Sequence, residues 1–277
     1  MPPDSANSAA SPIVWNAEDY IRNSRMQEEY GRKQIARLDL AGGEAVLDIG
    51  CGDGRLTAEI ARRVPRGRVL GIDSSPEMIA AAREAHAALH PTLSFELVDA
   101  TAMPFREEFD LVFSTSALHW IKDHHAVLEG IRSALKPRGR IYLTFAARGS
   151  ISEFAQVLTA LARDSRWAPQ FQGYVTPYAF YSMEEYRAWL DQLGFEVERL
   201  QMIERDVSHQ GKEGFQGWIR TTGMPYLNRV EPEKRTEFIT ALVDSYIEKH
   251  PLDAQGRIHV KMFNLLVQGR KGTTKNQ

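Results

Sequence analysis

Residues Ala45 to Ile49 form a compact apolar run, AVLDI, that ends in Gly50-Cys51-Gly52-Asp53-Gly54, and the segment after it carries Leu56, Ile60 and Val64 at i, i+4 and i+8. A buried strand that turns through glycines straight into an amphipathic helix is the opening of a β-α-β unit. Glycines at this turn let backbone approach a ligand at the carboxyl edge of the strand, where open parallel sheets bind small molecules. The turn also has a bland reading, as a tight strand-to-helix connection and nothing more.

The unit repeats downstream. RVLGID (Arg68 to Asp73) is a second strand, followed by a helix with Ser74 or Ser75 at its N-cap, Pro76 at N1, and Met78, Ile79, Ala82 and Leu89 on one face. LSFELVD (Leu93 to Asp99), FDLVFS (Phe109 to Ser114) and RIYLTF (Arg140 to Phe145) supply three more strands. A helix over Asp123 to Leu135 precedes the last of these, and Lys136-Pro137-Arg138-Gly139 reads as its breaker. Strands alternating with helices specify an α/β fold with a doubly wound sheet. After residue 146 the rhythm changes to a helix at about 152–163 and an aromatic stretch from Arg166 to Tyr181, which is too long for a simple connection and reads as cover over a site. A capped helix ending at Gly194, a strand near 196–203, helices around Trp218 and Phe238 to Ile247, and a final strand near 258–268 complete the chain.

The acids near the glycines decide between cofactors. A dinucleotide site uses G-x-G-x-x-G with a helix N-terminus against a pyrophosphate. Here the third glycine comes one residue early and the loop holds Asp48 and Asp53, which would repel a pyrophosphate. They suit a ligand with an ammonium and a sulfonium, as in S-adenosylmethionine. Asp73 ends the second strand, placed to accept both ribose hydroxyls, and Asp99 ends the third, placed to accept the adenine amine. Taken singly, Asp73 also reads as a helix cap and Asp99 as the start of a turn.

With VLDIGCGDGRLT, GIDSSPEMI, FELVDA and FDLVFSTSALHW in this order and spacing, residues 20 to 145 resemble the class I S-adenosylmethionine-dependent methyltransferases. The resemblance implies a Rossmann-like, seven-stranded, mostly parallel sheet whose final pair is antiparallel, with helical lid insertions. It places the cofactor's amino acid end on Gly50, Cys51, Gly52 and Asp53, the ribose on Asp73 and Ser74, Met78 beside the adenine, Asp99 and Ala100 at its edge, and Ser114 and Thr115 beside the methionine moiety. Tyr20, Ser24 and Gln27 resemble the family's N-terminal helix over the cofactor, and also read as plain helix surface. SALHWIKDH and GWIRTTGMPYLNRV (Gly217 to Val230) are similar to the trans-aconitate and juvenile hormone acid methyltransferase group, although His119 stands where the trans-aconitate enzymes carry Gln. The organisation expected is a disordered tail over 1–15, a cofactor-binding core over 16–145, a lid over 146–181, a core helix and strand over 182–207, a helical lid over 208–253, and the last strand and tail over 254–277.

Methyl transfer to a small acceptor, with carboxylate O-methylation as one form, is the function this pattern favours. A regulatory protein that binds the cofactor without turnover and a nicotinamide-dependent oxidoreductase are the alternatives. His119 is the candidate base or substrate contact, with Trp120, Trp218, His209 and Arg220 as further candidate acceptor contacts, Arg220 for a carboxylate; each also reads as structural. The adjacent His124 and His125 point about 100° apart on a helix and suggest no metal. A net charge of -2 gives no electrostatic case for nucleic acid or membrane, and one cysteine excludes an intrachain disulfide and fits a reducing, cytoplasmic setting. No oligomeric state is specified.

Overall fold

The computed structural model describes residues 25–88 and 90–273. The readings placed on Tyr20, Ser24, Leu89 and the first dozen residues lie outside them. In chain order, the longer elements are α1 (Arg25–Ile35), β1 (Ala45–Ile49), α2 (Arg55–Arg63), β2 (Arg68–Asp73), α3 (Pro76–His86), β3 (Leu93–Leu97), β4 (Phe109–Thr115), α4 (His124–Ala134) and β5 (Leu135–Ala146). They continue with α5 (Ser152–Ala162), α6 (Met183–Gln192), β6 (Phe195–Gln210), α7 (Gly211–Thr222), α8 (Arg235–Lys249) and β7 (Arg257–Lys271).

The seven strands form one sheet in the order β3-β2-β1-β4-β5-β7-β6. β1 to β5 are parallel, and β7 runs antiparallel to both β5 and β6. Chain order reverses at β1, which pairs with β2 on one side and β4 on the other, and this is the switch point at which such sheets open a ligand crevice. Every residue of β1 is buried because helices cover both faces of the sheet there. One face packs on α4 and α6 through residues such as Leu128, Ile131 and Leu190, and the other on α1 to α3 through Ile35, Ile60 and Ile79.

Local chemistry accounts for the ends. Ser75 caps α3 by accepting from the Met78 N–H at 3.2 Å, with Pro76 behind it. Asp123 caps α4, and Ser182 with Glu185 forms a reciprocal capping box on α6. β3 stops at Leu97 rather than running to Asp99, because Asp99 caps the short turn Ala100–Ala102. Lys136 to Gly139 do not separate helix from strand as breakers: they form an irregular head to β5, where pairing slips between Phe109 and Leu111 and Arg138 adopts φ 61°.

The largest departure from the sequence reading lies at β6 and β7. β5 ends at Ala146 opposite Asn264, and Asn264 lies opposite Ile203. Residues 204–210 and 257–263 therefore pair with each other as a two-stranded ribbon past the carboxyl edge of the sheet, where β7 also accepts from the Ala147 and Ile151 N–H groups of the chain leaving β5. This extension, α5, α7 and α8 share a third apolar core that includes Phe154, Trp167, Phe215, Trp218, Phe238 and Val260. Phe215 and Trp218 stack at 5.6 Å within it. The two insertions thus bury their apolar faces in one another and on the strand extension, as one helical body beside the carboxyl edge.

Candidate active site

The glycine turn after β1 and the turn after β4 meet at the crevice. Gly50 has φ 72°, and a Cβ there would stand 2.2 Å from the Ala117 Cβ, so the approach of the two loops requires glycine. Ser116, beside Ala117, holds φ 57°, a strained value for a serine, with its N–H donated to the Thr144 carbonyl at 2.8 Å.

A cavity of about 210 Å³ opens here, and a smaller one continues from it across Gly50 and Gly52. The walls divide into three parts. Toward β2 and β3 stand Asp73, Ser74, Met78, Val98, Asp99 and Ala100. The glycine-loop end holds Gln27, Asp48, Gly50, Cys51, Gly52, Asp53 and Thr115. Opposite lie His119, Trp120, Arg205, Trp218, Met262 and Asn264, with Thr221 and Thr222 between them.

The acids are held differently. Asp73 accepts from the Gly52 N–H at 3.0 Å and the Ser75 N–H at 2.9 Å, so it ties the glycine turn to α3; burial raises its pKa above the usual carboxylate range. Asp48 is buried at the base of the turn and accepts from Thr57 Oγ1 at 2.7 Å. Burial, with a smaller contribution from the Asp73 charge, lifts Asp48 to about 7. Asp53 lines the glycine-loop end, but its carboxylate is engaged by the Arg55 guanidinium at 2.7 Å, which also reaches Glu28. Asp99 directs one oxygen to the Thr101 N–H and hydroxyl, both at 2.8 Å. The Cys51 thiol is raised far above its ordinary value by burial and by Asp48 and Asp73, which keeps it inert.

Several expected contacts are corrected. Ser114 does not reach the cavity: it is fully buried inside the sheet and donates to the Ile49 carbonyl at 2.9 Å, while Thr115 and Ser116 take the lining position. Arg220 faces away, because two residues along a helix turn a side chain roughly 200° from Trp218, and it lines a separate hollow with Gln216 and Arg235. His209 is buried against Phe215 and Trp218, where burial pulls its pKa to about 4. The aromatic residues between Phe171 and Tyr181 back the wall rather than line it: Tyr178 lies 4.7 Å from the Trp120 ring and donates its hydroxyl to the Thr222 carbonyl. His119 does face the cavity, wedged between Trp120, Tyr178 and Phe180, with Nδ1 buried and unpartnered. Burial, and to a lesser degree His124, lowers its pKa to about 3, so it is a neutral imidazole and a poor base at neutral pH.

Sequence reasoning missed Met26, Ser116, Arg205, Met262 and Asn264. Two of them had a signal: Arg205 sits in phase with Ile203, Val207 and His209 in an alternating strand, and Asn264 interrupts the apolar run of β7.

The donor set is a test of the cofactor. Asp48 offers at a buried end a carboxyl whose ionised form an ammonium would favour, the Gln27 Oε1 and Thr115 Oγ1 atoms beside it are buried without partners, and the glycine turn leaves room for main chain to approach a ligand. Acceptors in excess at that end fit an ammonium and exclude a pyrophosphate. Strand order, switch-point crevice and acid set define a Rossmann-like α/β fold with a small-molecule cofactor site. Residues 46–139 match the methyltransferase domain family. The chain is 36% identical over 199 residues to an uncharacterised methyltransferase of Schizosaccharomyces pombe, covering 69% of this chain and 74% of that protein. It is 27% identical over 265 residues to a trans-aconitate 2-methyltransferase of Methylobacterium nodulans, covering 93% of this chain and 98% of the relative. The structure of the YcgJ protein from Bacillus subtilis shares the fold with a TM-score of 0.62 at 21% identity, covering 89% of this chain and 99% of that one. The protein belongs to the class I S-adenosylmethionine-dependent methyltransferases, close to the trans-aconitate group, and S-adenosylmethionine is its cofactor.

Among the described residues, no group of three or more His, Cys, Asp or Glu side chains forms a metal-holding cluster, and no helix is long and apolar enough to cross a membrane.

Proposed function

We propose that this methyltransferase esterifies a carboxylate of a small organic acid. The observation that carries the reading is the acceptor wall: among the described residues that form it, no carboxylate, cysteine or tyrosine stands with His119 as a base, and burial has taken that imidazole down to about 3. A phenol, alcohol or ammonium acceptor would need a base with a pKa near the working pH, whereas a carboxylate is already ionised. The likeness to trans-aconitate 2-methyltransferases, whose name states an acid substrate, supports the same class.

When bound, the cofactor would supply a methyl carbon on positively charged sulfur, open to an ionised carboxylate oxygen in exchange for the carbon–sulfur bond pair, which would stay on sulfur, with no proton to move. Asp48 and Gln27 would hold the ammonium, Asp73 and Ser74 the ribose, and Asp99, Ala100 and Met78 the adenine. Trp120, Trp218 and Met262 would keep water from a reaction in which opposite charges cancel, a step that a dry wall favours. His119, neutral, would donate or accept one hydrogen bond to orient the acid. Of the two insertions, 208–253 would contribute wall through Trp218, Thr221 and Thr222, and 146–181 would brace it from behind.

The test is product chemistry. With cofactor labelled in the methyl group and a library of small acids that includes trans-aconitate, together with phenols and amines, label is expected in esters that release methanol in mild alkali. Label found only in alkali-stable products would refute the reading.

A further inference from the structure

The cavity has one charged group that the cofactor does not use. Arg205 projects from the extension of β6, above the carboxyl edge of the sheet, with Val207 and Met262 on the same face. Its guanidinium carbon stands 3.8 Å from the centre of the Tyr30 ring. The Tyr30 hydroxyl is fixed in turn by a 2.8 Å hydrogen bond with Thr144 Oγ1. The acids next to Arg205 in sequence lie on the opposite strand face and are engaged there, Glu204 with Lys261 at 3.1 Å and Asp206 with His259 at 2.7 Å. Among the described residues, no carboxylate lies within ion-pair distance of Arg205.

A half-buried guanidinium without a counter-ion is costly, and stacking on one ring offsets only part of that cost. Among the described residues no hydrogen bond engages the N–H groups of this guanidinium, the fork that binds a carboxylate with two parallel hydrogen bonds. The cavity is polar end to end: Asp48, Asp73 and Asp99 stand at the cofactor side and Arg205 at the acceptor side. An anion entering it is repelled from the first and drawn to the second.

We propose that Arg205 reads a second anionic group on the acceptor, so that the preferred acid carries two carboxylates, one presented for methylation and one clamped by this arginine. The proposal rests on the acid reading above and goes beyond it, since a single carboxylate would suffice for the chemistry. It makes Arg205 a specificity determinant, and it makes acceptor recognition depend on the docking of α1, which carries Tyr30.

The experiment compares aliphatic dicarboxylic acids, from butanedioic to octanedioic, with monoacids of the same chain length, in the wild type and in Arg205→Met and Arg205→Lys. S-adenosylhomocysteine affinity and Tm check that each variant keeps its fold and cofactor site. The wild type is expected to prefer a diacid over its monoacid, mainly through KM. Arg205→Met is expected to lose about thirtyfold or more in kcat/KM for that diacid. The same change should leave the monoacid within a few fold, and Arg205→Lys should restore part of the preference. Alkali-labile product with the same diacid-to-monoacid ratio in wild type and Arg205→Met would overturn the role of Arg205 and leave the acid reading intact. Alkali-stable product alone would remove both. If Arg205→Met does not fold, the wild-type ratio and Arg205→Lys decide: a wild type that treats diacid and monoacid alike refutes the proposal.

Discussion

Binding of S-adenosylhomocysteine should tighten as pH rises from 5.5 to 7 and then level off, with Asp48 as the cause. Burial holds this carboxyl protonated up to about 7, against an ordinary value of 3.8, despite the hydrogen bond from Thr57. An ammonium set against it favours the ionised form, so its pKa in the complex falls below that of the free protein. Between the two values one proton leaves for each ligand bound, and the dissociation constant then falls about tenfold per pH unit, or roughly thirtyfold over the interval. His119, at about 3, and His124 and His209, at about 4, stay neutral throughout and do not blur the signal. The same carboxyl bears on the fold. Between pH 3.8 and 7 the folded state holds a proton that the unfolded state has lost, so its contribution to the stability of the free protein declines as pH rises through this window, by about 4 kcal/mol at most. Asp48→Asn keeps a neutral side chain of the same shape. It should therefore raise Tm of the free protein at pH 8 while weakening S-adenosylhomocysteine and removing the pH dependence of binding. Calorimetry in two buffers of different ionisation enthalpy counts the proton directly. A wild-type affinity that is flat from pH 5.5 to 8, with no proton released, would refute the argument.

Three further outcomes follow from the site. Asp73→Ala should weaken S-adenosylhomocysteine by about tenfold or more, from hydrogen bonds to a charged group worth roughly 1.5–3 kcal/mol each, with a smaller loss in Tm because the Gly52 and Ser75 N–H groups also lose their acceptor; unchanged affinity by titration would rule out its ribose role. Gly50→Ala places a Cβ against Ala117 at φ 72°, and should cost about 2 kcal/mol or more in urea unfolding, together with most cofactor affinity; a variant that binds normally would show that the two loops do not need this approach. At saturating cofactor, the acceptor kcat/KM should show no inflection between pH 6 and 9 from His119, because it is already neutral; an inflection near 6.5 that vanishes in His119→Gln would restore it as a base.

How much of this was legible depended on how local the cause was. β1 and β2 were read with their ends intact because an apolar run bounded by Gly50, or by Asp73 before a Ser75 cap, encodes its own limits. The cofactor end followed for the same reason: Asp48, Asp73 and Asp99 lie at or just beyond strand termini, so register alone carries them to one edge. Asp53 was read as a ligand contact from its place in the loop, but its carboxylate is paired with Arg55, whose guanidinium is also held by Glu28 of α1, a distant segment. Ser114 and Thr115 were assigned together because the family resemblance carries both, whereas adjacent strand residues point to opposite faces, and Ser114 turns inward to Ile49.

The acceptor end was decided by packing. Nothing near Arg166 to Tyr181 says that its rings back His119 and Trp120 instead of facing a ligand, since that depends on contacts with Thr222 and Tyr226 far along the chain. Arg220 and Arg205 were distinguishable only once α7 had a rotation and β6 a length. The sequence by itself determined the switch-point sheet, its glycine turn and the acids at its carboxyl edge, because alternation, turn chemistry and strand ends act over a few residues. The tertiary structure alone decided that β6 and β7 outrun the sheet and lift Arg205 onto Tyr30, and that burial silences His119 and raises Asp48, because pairing beyond an edge and loss of water are set by residues far apart in the chain, as Gln210 is from Arg257, His119 from Phe180 and Arg205 from Tyr30.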